Sequence, residues 1–241
     1  MNDSINKWPK CFPPLTKEQE SISNDFMKHW HETLSSGWKF RLIENFNHNY
    51  AVKNAPQDFL TTLEIGACLG EHLNYERLSD EQKKHYVTLE LRENMAEKIK
   101  ASFPEIQTVV GDCQKTLPYV DGHFDRILAI HVLEHLPDLP AAIQEMHRLC
   151  NKDKGTLSIV IPCEGGLAYG QARKISAQKI FEARYKQSYQ WFIEREHVNR
   201  PHEIFEELTP YFNIKHQSFF PLLIPSINLN LCIGATLYPR S

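Results

Sequence analysis

Apolar and polar positions along this chain fall into short β-rich runs separated by stretches of helical spacing. Thr61-Thr-Leu-Glu-Ile65, His85-Tyr-Val-Thr-Leu-Glu90, Ile106-Gln-Thr-Val-Val110, Phe124-Asp-Arg-Ile-Leu-Ala-Ile130 and Gly155-Thr-Leu-Ser-Ile-Val-Ile-Pro162 read as strands. Their order, with an amphipathic segment after the first and a helix pattern over 138–150, predicts a doubly wound α/β sheet. Two more strand-like runs follow, Tyr211–Phe220 and Asn228–Tyr238. The apolar piece between them, Pro221-Leu-Leu-Ile-Pro-Ser-Ile227, is expected to be buried, with a dimer surface or an apolar substrate mouth as the alternatives.

Ahead of the first strand, residues 1–15 carry Pro9, Pro13 and Pro14 and read as an extended arm. Thr16 is a candidate cap for a helix over Lys17–Leu34, which places Ile22, Phe26, Trp30 and Leu34 on one stripe. A second short helix is expected over about 37–46, followed by a loop, Phe46-Asn-His48-Asn-Tyr50. This divides the chain into an arm and helical lid over 1–57 and a main domain over 58–241, with an inserted segment at 163–195.

Composition narrows the function classes. With 241 residues and 41% of them apolar, the chain can bury one substantial core. Its 27 basic and 30 acidic residues give no electrostatic case for a dedicated nucleic-acid binder or a polybasic membrane anchor. No apolar run reaches the roughly 18 residues of a membrane span, and Met1–Lys7 lacks a signal core, so a cytoplasmic protein is expected. The six cysteines include no Cys-x-x-Cys pair, which argues against a disulfide framework or a thiolate zinc site.

The chemistry is concentrated where strands end. The first strand closes on Glu64-Ile-Gly66-Ala-Cys-Leu-Gly70, an acid followed by a glycine turn that lets backbone approach a ligand. The second ends in Glu90, the third in Gly111-Asp112, and the fourth runs into His131-Val-Leu-Glu134-His135. Polar residues at four successive strand ends predict one ligand crevice.

Over about residues 58–238, these motifs resemble the class I S-adenosylmethionine-dependent methyltransferases. The resemblance rests on Glu64–Gly70, Glu90, Gly111-Asp112, Phe124-Asp125 with Val132-Leu-Glu-His-Leu136, Lys154–Pro162, and Glu196–Leu208 as the helix before strand six. It implies a Rossmann-like seven-stranded sheet whose last two strands form an antiparallel edge, with S-adenosylmethionine as cofactor. Glu64, Gly66, Ala67 and Gly70 would cradle the methionine end, Glu90 and Leu91 the ribose, Asp112 and Cys113 the adenine, and His131 would flank the cofactor. From the lid, His48, Tyr50 and Arg41 would close over it. One residue departs from the pattern: Cys68 stands where the family has its middle glycine.

If the methyl acceptor is a hydroxyl, a base must take its proton, and His135 or His197 is expected to do so beside Glu134. Glu-His pairs bind magnesium in some family members, so Glu134 and His135 are the candidate ligands, but a metal is the less favoured reading. The insertion carries Arg173, Lys174, Lys179, Arg184 and Lys186 at the carboxyl edge of the sheet. Its positive character suits a small-molecule acceptor that is anionic or sugar-linked, such as a sugar or specialised metabolite. The rival readings are a protein or RNA methyltransferase of the same fold and a non-catalytic cofactor-binding module.

Overall fold

The computed structural model describes residues 7–36 and 38–240. Helices α1 (Lys17–Ser36) and α2 (Trp38–Lys53) precede β1 (Thr62–Ile65), which is followed by α3 (Asp80–Lys84), β2 (Tyr86–Glu90), α4 (Glu93–Ser102) and β3 (Gln107–Val110). Next come β4 (Arg126–Ile130), α5 (Leu139–Leu149) and β5 (Thr156–Pro162), then three helices, α6 (Leu167–Ile175), α7 (Ala177–Tyr185) and α8 (Gln190–Glu196). Helix α9 (Pro201–Leu208), β6 (Phe212–Phe220) and β7 (Cys232–Pro239) complete the chain. Residues 1–6 of the expected arm, and the side chain of Leu34, lie outside the described residues.

The strands form one seven-stranded sheet in the order β3-β2-β1-β4-β5-β7-β6. Strands β1 to β5 pair in parallel, while β7 runs antiparallel to both β5 and β6. Every residue of β1, β2 and β5 is buried, the polar Thr62, Glu64, Thr88, Glu90, Thr156 and Ser158 included, as expected of parallel strands covered on both faces. Helix α5 forms where its pattern predicts: the Asp138 carboxylate accepts from the Ala141 N–H, and Leu139, Ala142, Ile143, Met146 and Leu149 are buried against the sheet.

Helix α2 runs through the expected loop at 46–50. Its asparagines and histidine suggest a loop, but Ile43, Phe46 and Tyr50 share one face and pack against Val160 and Cys232, so tertiary burial decides in favour of helix. Tyr50, expected in the lid, does not line the cavity and instead packs over β7 at Gly234. A Cβ on Gly234 would come within 2.5 Å of its ring, and its hydroxyl donates to the His216 carbonyl at 3.1 Å.

Two further expectations change. The helix expected over 196–208 is broken before Pro201, which disfavours helical backbone in the preceding residue and starts α9 instead. The 221–227 segment is not buried: Leu222, Leu223 and Ile224 are each at least half exposed at the tip between β6 and β7. The buried Asn230 holds this tip, accepting from the Leu222 N–H at 2.8 Å and donating to the Ile224 and Ser226 carbonyls.

Candidate active site

Parallel register carries the ends of β1, β2 and β4 to one rim, because Ile65 pairs with Leu89 and with Ala129. The strand order reverses between β1 and β4, the switch point at which such sheets bind ligands. A cavity of about 1060 Å³ opens there, bounded below by the strand ends and above by α1, α2, α6 and α8. This is at or above the upper end of the usual range for one small-molecule site, roughly 300–1,000 Å³.

The half of the cavity over β1 to β3 is lined by Glu64, Gly66, Ala67, Glu90, Leu91, Asp112 and Cys113, as expected. Gly66 adopts φ +68°, and a Cβ there would stand 2.6 Å from Val132, so the turn admits only glycine without rearrangement. Gly70 is corrected: it lies outside the cavity lining, packed on Phe103, and its left-handed backbone opens the turn at Glu71–Asn74. Glu90 accepts from the Cys68 N–H and the Arg92 N–H, both at 3.0 Å, and pairs with the Arg92 guanidinium at 3.2 Å. The Asp112 carboxylate accepts from the Gln114 N–H at 2.9 Å, and burial, with Asp112 beside it, pushes the Cys113 thiol up to about 12.

Among the described residues, four non-glycine residues have left-handed backbone, and two of them, Cys68 and His131, line this cavity. Such backbone costs about 1–2 kcal/mol per residue and concentrates where function over-determines the fold.

Glu64 is buried and accepts from the Tyr86 hydroxyl at 2.8 Å. Burial pushes its carboxyl up to about 8 against the opposing effect of that hydrogen bond. From α2, His48 lines the cavity, stacks on Tyr75 with centroids 4.6 Å apart, and bonds Glu44 at 3.2 Å. Arg41 lines the same side.

His131, Glu134, His135 and His197 meet at the centre of the cavity. His131 Nδ1 lies 3.0 Å from Glu134 Oε1, and the Leu133–His135 stretch is a 3-10 turn rather than the α-helix that would put the three on one face. Although burial opposes ionisation, the hydrogen bond from His131 holds Glu134 down to about 2. Burial also opposes a charge on His131, but its bonds to Cys232 and Glu134 raise it well above the ordinary histidine range. Burial drives His135 down to about 4, so it is neutral near pH 7. The rings of His135 and His197 meet edge to face with centroids 5.0 Å apart. Ligand atoms of Glu134, His135 and His197 all lie within 4.8 Å of one another, and Glu134 Oε2 is buried without a hydrogen-bond partner. A divalent cation fits this donor set.

Sequence reasoning missed Glu164. It sits two residues past β5, is largely buried, accepts from His197 Nδ1 at 2.9 Å and pairs with Arg173. The signal was present as one more acid beyond a parallel strand, but the neighbouring Gly165-Gly166 suggested a flexible linker. The aromatic character of the roof was also missed. Met27 and Trp30 of α1, Tyr169 of α6, and Phe192 and Ile193 of α8 cover the half of the cavity beyond His197.

Residues 63–159 match the family model described as a methyltransferase domain. No curated protein matches the chain in sequence. Among solved structures, it is similar to an N-methyltransferase, NodS, from Bradyrhizobium japonicum WM9 in complex with S-adenosyl-L-homocysteine, at TM-score 0.61 and 14% identity over 92% of this chain and 98% of that one. It is similar to a TehB-like SAM-dependent methyltransferase from Corynebacterium glutamicum, at TM-score 0.57 and 17% identity over 92% and 100%. A putative methyltransferase from Haloferax volcanii, solved with the Trm112 methyltransferase activator, gives TM-score 0.63 and 12% identity over 95% and 100%.

The matched domain, the strand order and the glycine turn beneath the cavity define a methyl-transferring enzyme. The fold is that of the class I S-adenosylmethionine-dependent methyltransferases, and the methyltransferase domain matched over residues 63–159 makes S-adenosylmethionine the cofactor.

Two predictions arise here. Glu90→Ala should weaken S-adenosylhomocysteine binding by about 1.5–3 kcal/mol, the usual value of hydrogen bonds to a charged group. Calorimetry with a thermal-melt control checks this, and unchanged affinity would remove Glu90 from the ribose site. The second concerns Glu64, which is protonated in the free protein below about pH 8. If Glu64 meets the ligand's ammonium, the pairing draws the carboxyl into its ionised form and releases a proton. Affinity should therefore rise with pH between about 6 and 7.5, by up to tenfold per unit. Titrations at pH 7 in buffers of different ionisation enthalpy should show that release, and identical heats in all buffers would refute it.

Proposed function

We propose that the enzyme methylates a hydroxyl of a small-molecule acceptor, with His197 taking the acceptor's proton and Glu164 orienting its ring. The supporting observation is the 2.9 Å bond from His197 Nδ1 to the buried Glu164 carboxylate, where the cofactor half of the cavity meets the aromatic half. Burial opposes ionisation of Glu164, but the His197 bond lowers its pKa, so it remains an acceptor that fixes the imidazole. The methyl–sulfur bond breaks with its electron pair retained by sulfur, an acceptor oxygen lone pair forms the new bond to carbon, and the hydroxyl proton passes to His197. Alignment of these atoms supplies much of the acceleration. In this reading Glu64, Gly66 and Ala67 hold the methionine end, Glu90 and Leu91 the ribose, and Asp112 and Cys113 the adenine. His131 and His48 flank the cofactor, while α1, α2 and residues 163–195 form the cover.

A second reading makes Glu134, His135 and His197 ligands of a divalent cation that binds the acceptor oxygen, favoured by their mutual spacing and the unpartnered Glu134 oxygen. The test is S-adenosylhomocysteine release from a panel of hydroxyl and amine acceptors, with EDTA and with magnesium. Turnover of hydroxyl acceptors that survives EDTA supports the first reading. Turnover restored only by magnesium supports the second, and turnover of amines alone overturns both.

A further inference from the structure

The acceptor half of the cavity is walled by aromatic and aliphatic side chains, and its polar groups are few. Phe26 of α1 is fully buried and packs edge-on against Phe181, Tyr189 and Phe192, at 5.0, 6.1 and 5.1 Å between centroids. Trp30 stacks on Phe26 with its plane tilted by 19°. The roof is therefore a pre-organised aromatic assembly rather than a set of adaptable polar chains. Beside the proposed base, the Tyr169 ring lies within 29° of parallel to the His197 ring, 6.4 Å away.

Charge in this half argues against an anion. Of the insertion's basic residues, Arg173 lines the cavity but is neutralised by Glu164, Arg184 is paired with Asp25, and Lys174 and Lys179 do not line it. What faces the two histidines is acidic, with Glu134 and Glu164 beside them and Glu196 3.9 Å from His135. Hydrogen-bonding capacity argues against a sugar. The Ser176 hydroxyl is already donated to the Ala172 carbonyl and Arg173 is paired with Glu164, so α6 and α8 offer Glu196, which lies by His135, together with Tyr169 and the flanking Tyr189, whose hydroxyls have no partner among the described residues. A sugar has more hydroxyls than these can satisfy, and each one buried without a partner loses affinity.

We propose that the methyl acceptor is a neutral, planar aromatic hydroxyl compound, its ring packed beneath the aromatic roof that α1 and α8 form together and its hydroxyl directed at His197. The proposal rests on the methyl-transfer reading above, and it deepens that reading by naming the acceptor class. It replaces the anionic or sugar-linked acceptor expected from the sequence.

The experiment is calorimetric titration of S-adenosylhomocysteine-saturated protein with three probes of different chemistry: 2-naphthol, methyl glucoside and glucose 1-phosphate. The expected result is binding of 2-naphthol at least about tenfold tighter than either sugar. Ala172→Trp fills the same half from α6 and should abolish 2-naphthol binding, while unchanged S-adenosylhomocysteine affinity shows that the variant is folded. Either sugar binding as tightly as 2-naphthol, no 2-naphthol binding up to millimolar concentration, or binding retained in Ala172→Trp would overturn the proposal. Because the readout is binding, a 2-naphthol complex that is never methylated would count against the His197 reading alone.

Discussion

His197→Ala is expected to lower kcat by about 10²- to 10⁴-fold, the range for losing a positioned general base, with S-adenosylhomocysteine affinity nearly unchanged. The imidazole lies at the seam of the two halves, and its Nδ1 is committed to Glu164. Its other nitrogen is therefore the one available to the acceptor proton. Glu164 touches neither ligand in this reading and acts by fixing the ring. Glu164→Gln should lower kcat while KM stays close to its original value, and Glu164→Asp should recover part of the loss, because it restores the charge with a shorter reach. A uniform fall in stability across both variants, with no split between kcat and KM, would reduce Glu164 to a structural partner of Arg173. His135 provides the internal comparison. Burial already holds it down to about 4, making it a weak proton acceptor, so His135→Asn should cost less activity than His197→Ala.

The sheet was legible because buried parallel strands leave a coarse signature. Four strand-like runs, each closing on or followed within a residue or two by an acid, a glycine or a histidine, mark the rim on which the cavity opens. The acids Glu64, Glu90 and Asp112 all reach the cavity, since strand-end position is fixed by register and not by any distant contact. What was not legible depends on contacts far apart in sequence. Phe46–Tyr50 is helical because β5 and β7 give its apolar face a surface to cover, with Gly234 leaving room for the Tyr50 ring. Basic residues of the insertion looked like an anion site, yet Asp25 and Glu164 claim two of the arginines, from 159 and 9 residues away in sequence. Glycine at position 70 looked like part of the ligand cradle because spacing alone cannot distinguish a backbone that meets a ligand from one that meets Phe103.

Arg126→Met should destabilise the protein by about 3–5 kcal/mol, the usual effect of removing one partner of a buried ion pair. For a chain of this length, each kcal/mol moves the melting midpoint by about 2–4 °C, so a shift on the order of 10 °C is expected. Arg126 is completely buried at the start of β4, 2.7 Å from Glu76 and within hydrogen-bond reach of the Ala51 carbonyl at the end of α2. Glu76 also bonds His72 at 2.7 Å, and His72 stacks near His48, with centroids 5.4 Å apart. The guanidinium thus ties the lid helix and the turn after β1 to the centre of the sheet, behind the cofactor half of the cavity. Removing it leaves a largely buried carboxylate with His72 as its remaining partner. Burial opposes ionisation of Glu76, but His72 and Arg126 hold its carboxyl down to about 2. With the folded value below the unfolded one, the pair's contribution is fully present above about pH 4.5 and is lost as pH falls towards 2. The double variant Arg126→Met/Glu76→Gln removes the stranded charge and should recover much of the lost stability at neutral pH. It should also flatten the acid limb of the melting curve. A single variant as stable as the parent, or a double variant no better than the single, would show that Arg126 is held by packing on Phe59 and not by its charge.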